Sequence, residues 1–136
     1  MGIDRRNDPK DILSAYNTPL HPEFAMNGLS HANRILEQQL FDPGNFELFG
    51  TYDEDIGRYE AYYRSLESQE LIYALNGRRM RIYLGKDELI HLWDSYKYSP
   101  EESAELFQNT KMKRIRQWTS RSKRFDMHLL SKVLAN

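Results

Sequence analysis

Apolar residues recur at helical spacing in five stretches of the chain, and in one stretch they alternate as strands do. Ser30 stands where it can cap a helix running to about Phe41, with Ile35, Leu36 and Leu40 on one side. Thr51 and Glu54 have capping-box spacing, and Ile56, Tyr59, Tyr63 and Leu66 come next at a period near 3.6, which predicts an amphipathic helix to about Ser68. The tyrosines here, with Tyr52 and Tyr62, read as core filling. Lys86 to about Lys97 repeats the pattern with Leu89, Leu92, Trp93 and Tyr96. Ser99-Pro100-Glu101-Glu102 is an N-cap, a proline suited to the first turn and a capping-box glutamate, so a short helix starts at residue 100. Asn109 is placed for a left-handed turn and Thr110 for capping the next helix, over 111–124, where Met112, Ile115, Trp118, Thr119, Ser122 and Phe125 share one arc. Asp126 can cap a last helix, Met127 to Leu134.

The exception is LIYAL-NG-RRMRIYL. Asn76-Gly77 suits a turn with positive φ at both central positions, so the flanking runs predict a β-hairpin pairing Leu75 with Arg78, Tyr73 with Met80 and Leu71 with Ile82. The N-terminal stretch holds Pro9, Pro19, Pro22 and Gly28 with little periodicity, and reads as an arm over residues 1–28 with one turn of helix at Pro9 to Tyr16 capped by Asp8. Pinning to the body, swapping and partner binding all remain open for it. The expected fold is α+β and mainly helical. Residues 29–136 form a single domain in which N-terminal helices pack on a β-hairpin, followed by a C-terminal three-helix subregion over 86–125.

Composition narrows the function classes. The chain has 136 residues, enough for one domain with a core, and no cysteine, which removes disulfides and thiolate chemistry. Neither a membrane-length apolar run nor a signal-peptide core is present, so a cytoplasmic protein is expected. The net charge of −1 conceals a polarity: residues 1–96 hold 10 basic and 16 acidic side chains, residues 97–136 hold 9 and 4. Such asymmetry points to an anionic partner for the C-terminal part, or to a solvated basic face.

The last third of the chain, SPEESAELFQNTKMKRIRQW, resembles the helix-turn-helix class of DNA-binding proteins, in which a capped helix with a small central residue (Ala104) packs on a second helix anchored by Ile115 and Trp118. The order of a strand, a helix and this unit is also similar to the layout of Mor-type phage transcription activators. The resemblance implies a sequence-specific or architectural double-stranded DNA-binding protein, a small transcriptional regulator of phage, plasmid or bacterial origin, acting as a homodimer. Lys113, Arg116, Gln117 and Ser120 would face base edges, and Lys111, Arg114, Arg121, Lys123 and Arg124 would flank them on phosphates. Arg78, Arg79 and Arg81 at the hairpin tip would add phosphate contacts. A non-enzymatic protein-binding module, an adaptor or inhibitor of a host protein, is the alternative. Catalysis is not expected: His21, His31, His91 and His128 lack metal-ligand spacing, no catalytic motif is present, and neither cofactor nor metal is called for.

Overall fold

The computed structural model describes residues 1–133 and is rich in strand. Its elements in chain order are β1 (Gly2–Asp4), α1 (Pro9–Tyr16), α2 (Leu20–Leu36), a single 3-10 turn (Pro43–Asn45), β2 (Phe46–Asp53), β3 (Arg58–Ser65), β4 (Gln69–Leu75), β5 (Arg78–Leu84), β6 (Leu89–Tyr96), α3 (Pro100–Gln108), β7 (Met112–Thr119) and β8 (Phe125–Lys132). The strands make three sheets, ordered β1-β8-β7, β2-β3-β6 and β4-β5. The mainly helical expectation is therefore wrong. The chain clusters into two compact units: one holds residues 1–12, 52–59 and 95–136, the other 13–51 and 60–94. No helix among the described residues is long and apolar enough to cross a membrane.

The unit built on 13–51 and 60–94 places α2 over strands. Ala25 and Leu29 of α2 join Phe46, Tyr63, Leu71 and Leu84 in one buried cluster, held by the apolar area that this contact removes from water. The helix begins at Leu20, ten residues before Ser30, because Pro22 lies in the first turn, where the missing N–H costs no intrahelical bond. It ends on Glu37, left-handed at φ 52°, so Ile35 and Leu36 are exposed and not inward. Thr51 to Ser68 is no helix. Asp53 accepts from the amides of Asp55 (3.0 Å) and Ile56 (3.2 Å), and β2 turns into β3 there. Along β3, Tyr59, Ala61, Tyr63 and Ser65 are buried alternately. Lys86–Lys97 is likewise a strand: Asp87 takes φ 65°, the Glu88 carboxylate accepts from Gly85 N (2.7 Å), and β6 begins at Leu89. The β4–β5 hairpin has the register expected from its turn, with Asn76 at φ 50° and Gly77 at φ 75°.

In the other unit, β8 lies between β1 and β7, antiparallel to both. The α3 cap forms as the sequence indicates: Ser99 Oγ accepts from Glu102 N (3.1 Å) and Glu102 accepts from Ser99 N (2.7 Å). Beyond α3 the chain departs from the expected helices. Asn109 has φ −77°, and Thr110 closes the helix by donating to Phe107 O (2.9 Å) instead of capping another. Met112–Thr119 is β7, and Phe125–Lys132 is β8 where a helix was expected from Met127 to Leu134; the last residue of that expected helix, Leu134, lies outside the described residues. Pairing between these segments satisfies their backbones together, and the β-formers Ile115, Trp118 and Thr119 suit a strand. The helix-turn-helix unit does not exist.

Candidate functional site

Two faces of α2 serve different ends. Ala25, Leu29 and Asn33, each four residues apart, are buried. Phe24, Asn27, Gly28 and His31 occupy the adjacent stripe and line an open cleft of about 710 Å³, whose other wall comes from Tyr63 of β3 and Leu92 and Trp93 of β6.

The helix can approach β3 this closely because residue 28 is glycine. A Cβ there would stand 2.4 Å from the Tyr63 hydroxyl oxygen. That hydroxyl instead donates to Ala25 O at 2.6 Å, and burial raises its pKa above the usual tyrosine value. Phe24 and Trp93 meet edge to face across the cleft mouth, ring centroids 6.3 Å apart at 65°, although Phe24 is 68% exposed. The same two rings also border a smaller hollow of about 370 Å³ with Tyr16, Leu20 and His21. His31 Nδ1 accepts from Arg34 (2.6 Å), which fixes both side chains on the rim. Among the described residues, Asn27 has no side-chain hydrogen bond, so its amide is available to a guest. An apolar, ring-lined hollow with a few polar groups at its edge suits a small planar molecule with a polar end.

In the other unit, Arg6 is a structural clamp. Its guanidinium binds both oxygens of Glu102, one at 2.8 Å, and reaches the carbonyls of Glu54 (2.8 Å) and Asp55 (3.0 Å). Arg6 and the Ser99 amide hold the Glu102 carboxyl below its ordinary value. Gly57, at φ 65°, is needed beside it, since a Cβ would lie 2.5 Å from Lys97 O and 2.7 Å from Arg6 Nε. Lys97 is buried, with its ammonium donating to Asp4 (2.8 Å) and Ser95 (2.8 Å). No group of three or more His, Asp or Glu among the described residues is placed to hold a metal ion.

The residues expected to meet DNA are not on a helix. Lys113, Arg114, Arg116 and Gln117 lie on β7, directly after Lys111, while Ser120, Arg121, Lys123 and Arg124 belong to the β7–β8 turn. Ser120 Oγ accepts from the Arg124 and Phe125 amides (both 3.2 Å), Arg124 pairs with Asp11 (2.6 Å), Arg114 donates to Gln117 (2.9 Å) and Arg116 sits 5.1 Å from the Trp118 ring centre. Arg78, Arg79 and Arg81 are exposed at the hairpin tip, Arg81 3.3 Å from Glu70. The sequence pattern does not reveal Phe24 and Asn27 as site residues, and it places Trp93 on a helix. The one signal for them is the presence of two bulky rings, at 24 and 93, of which Phe24 is exposed and Trp93 half-buried.

The chain is similar to ergothioneine biosynthesis protein 1 of Neurospora crassa, 32% identical over 136 residues, which is 97% of this chain and 14% of that protein. It is 33% identical over 104 residues to an L-tryptophan methyltransferase of Psilocybe serbica, covering 75% and 28%. A 4-dimethylallyltryptophan N-methyltransferase of Trichophyton verrucosum is 27% identical over 123 residues, covering 88% and 35%. The chain thus spans between about a seventh and a third of these relatives. They overturn the expectations of a DNA-binding regulator, a duplex DNA partner, a homodimer of that kind, a host-protein adaptor and a non-enzyme. The sequence model described as histidine-specific methyltransferase, SAM-dependent, matches residues 1–132, and the chain belongs to that family.

Proposed function

We propose that this chain supplies the small-molecule-binding part of a SAM-dependent N-methyltransferase, and that the α2 cleft receives the side chain of an aromatic amino acid. The edge-to-face pair of Phe24 and Trp93 at the mouth of an open cleft carries this reading. Phe24 is exposed and Trp93 half-buried, and a ring as large as Phe24 left in water beside an apolar cleft is accounted for by a ligand that covers it. Asn27, without a side-chain partner among the described residues, offers an amide to the guest's polar end, and the His31–Arg34 pair adds positive charge on the rim that suits a carboxylate. The names of the relatives, two of them tryptophan or substituted-tryptophan methyltransferases, agree with a ring-bearing substrate. A cytoplasmic setting belongs to the same proposal, supported by a charge-rich chain without cysteine.

The described residues do not fit S-adenosylmethionine. The β1-β8-β7 and β4-β5 pairings are antiparallel, and no glycine-rich turn links a parallel strand to a helix. The two positive-φ glycines, Gly57 and Gly77, sit in hairpin turns, and the space beside Gly57 is filled by Lys97 and Arg6. No step through the cofactor is derived from these residues.

Calorimetric or NMR titration of the chain with L-tryptophan and L-histidine tests the cleft. Binding by either, with cross-peaks of α2 and β6 perturbed and affinity lowered about 10-fold or more in Trp93→Ala, is the expected outcome. Absence of binding at millimolar ligand, or binding that ignores both Trp93→Ala and Asn27→Ala, rejects the reading.

A further inference from the structure

The unit that holds the Arg6 clamp has a hollow of its own, of about 320 Å³. Two periodicities build it. At the end of β6 the side chains alternate across the strand: Lys97 goes inward, while Tyr96 and Tyr98 stand together on the other side, ring centroids 6.5 Å apart and 33° from parallel. Backbone bonds hold this end of the chain in place, since Lys97 N donates to Gly57 O (2.7 Å) and Tyr98 N to Asp4 O (3.0 Å). On α3, Ser103 and Phe107 are buried, and Glu102, Glu105, Leu106 and Asn109 form the neighbouring stripe that walls the hollow.

The charges around this hollow do not cancel. Arg6 meets Glu102, and the Lys97 ammonium meets Asp4. Glu105 has neither an ion pair nor a side-chain hydrogen bond among the described residues, so it leaves one negative charge on the wall. The faces of the two tyrosine rings add the negative end of their quadrupoles. We propose that the hollow binds a small quaternary ammonium compound, its charge met by Tyr96, Tyr98 and Glu105 and its methyl groups covered by Leu106. The hydrogen-bonding capacity of the wall selects this cation over others. Both Glu102 oxygens are taken by Arg6, and one also by the Ser99 amide (2.7 Å), so among the carboxylates and amides of the lining only Glu105 and Asn109 are free to accept. A guanidinium or a primary ammonium brings more N–H donors than these two groups meet. A quaternary ammonium brings none, and its dispersed, weakly hydrated charge suits ring faces beside a single carboxylate. The proposal is independent of the α2 cleft and stands whether or not that cleft takes an aromatic amino acid.

The test titrates the full chain, followed by NMR, with choline and with its neutral carbon analogue, in which a tert-butyl group replaces the trimethylammonium. Choline should bind at millimolar concentration and shift the amides of 96–98 and 105–109, and the neutral analogue should bind about 10-fold more weakly or not at all. Glu105→Gln and Tyr96→Leu should each weaken choline by about 3- to 10-fold. Glu105 is exposed and Tyr96 is 46% exposed, so circular dichroism and melting should be unchanged in both variants, which separates lost binding from lost folding. Equal affinity for choline and the neutral analogue overturns the proposal, because shape and not charge would then be recognised. Propylguanidinium binding as tightly as choline overturns the choice of cation. Absence of shifts in these two segments, shifts confined to α2, or affinity indifferent to both variants also overturns it.

Discussion

Asn33 and His128 are both buried polar side chains, and they are treated in opposite ways by their surroundings. Asn33, 6% exposed on α2, accepts from the amides of Leu40 (2.9 Å) and Phe41 (2.8 Å) and donates to Phe41 O (2.6 Å). It ties the end of the helix to the segment that leads into β2. His128, 2% exposed on β8, has no hydrogen bond at either ring nitrogen among the described residues. Beside it, Asp126 accepts from Thr119 (2.6 Å) with one oxygen, while its other oxygen stands 3.6 Å from Arg5 Nε without a hydrogen bond. A satisfied buried group fixes a single arrangement, whereas an unsatisfied one stores a cost that proton uptake or substitution can change.

The contrast is broken most directly at Asn33. Asn33→Ala leaves the Leu40 and Phe41 amides without their acceptor and Phe41 O without its donor, and should cost roughly 3 kcal/mol. Urea denaturation measures it; a loss below about 1 kcal/mol would show that water replaces the amide and that the site is less enclosed than its burial indicates.

A second satisfied contact in the same unit sharpens the point at smaller size. Gly28→Ala drives a methyl group against the Tyr63 hydroxyl, disturbing its bond to Ala25 O, at about 1–3 kcal/mol. Tyr63→Phe removes the obstructing oxygen, so the double variant should recover part of that loss, and the two changes should couple by more than about 0.5 kcal/mol in a double-mutant cycle. Simple additivity would mean that the helix moves aside and that the close approach is not what holds the cleft wall.

These particulars also show what could be read from the chain alone. Asn76-Gly77 and Ser99-Pro100-Glu101-Glu102 were legible because each encodes its own geometry locally: positive φ at two adjacent positions, and reciprocal bonds at a helix start. Tyr59 and Tyr63 were not, since residues four apart share a face in a helix and in a strand alike. The deciding residues were Ala61 and Ser65, small and easily passed over, which alternate with them inward. In β7 a bulge between Arg114 and Arg116 breaks the strand alternation, so that Met112 opposite Lys132 and Trp118 opposite Met127 lie on different faces and no strand period shows in the sequence. Hydrogen bonds to β8, made across a turn, override the helix-forming lysines and arginines. The cleft was invisible for another reason: Phe24 and Trp93 lie 69 positions apart, and only the seating of α2 against β3, permitted by Gly28, brings them together.

The smallest effect is expected at His128, and its dependence on pH is the informative part. Burial holds its pKa below the ordinary 6.5; the Asp126 carboxylate opposes this and Arg114 adds to it. The folded state therefore resists taking up the proton that the unfolded chain accepts near pH 6.5. The stability associated with a neutral His128 is fully present above that value and is lost as pH falls toward the folded-state pKa. His128→Leu keeps the contact with Phe107 and removes the titrating ring, so at pH 8 it should change stability by no more than about 1 kcal/mol. The variant's denaturation midpoint should then fall less steeply than the parent's between pH 7 and 5. Parallel pH profiles for parent and variant would show that the ring is protonated without penalty, which would make His128 as well accommodated as Asn33 and remove the difference between the two sites.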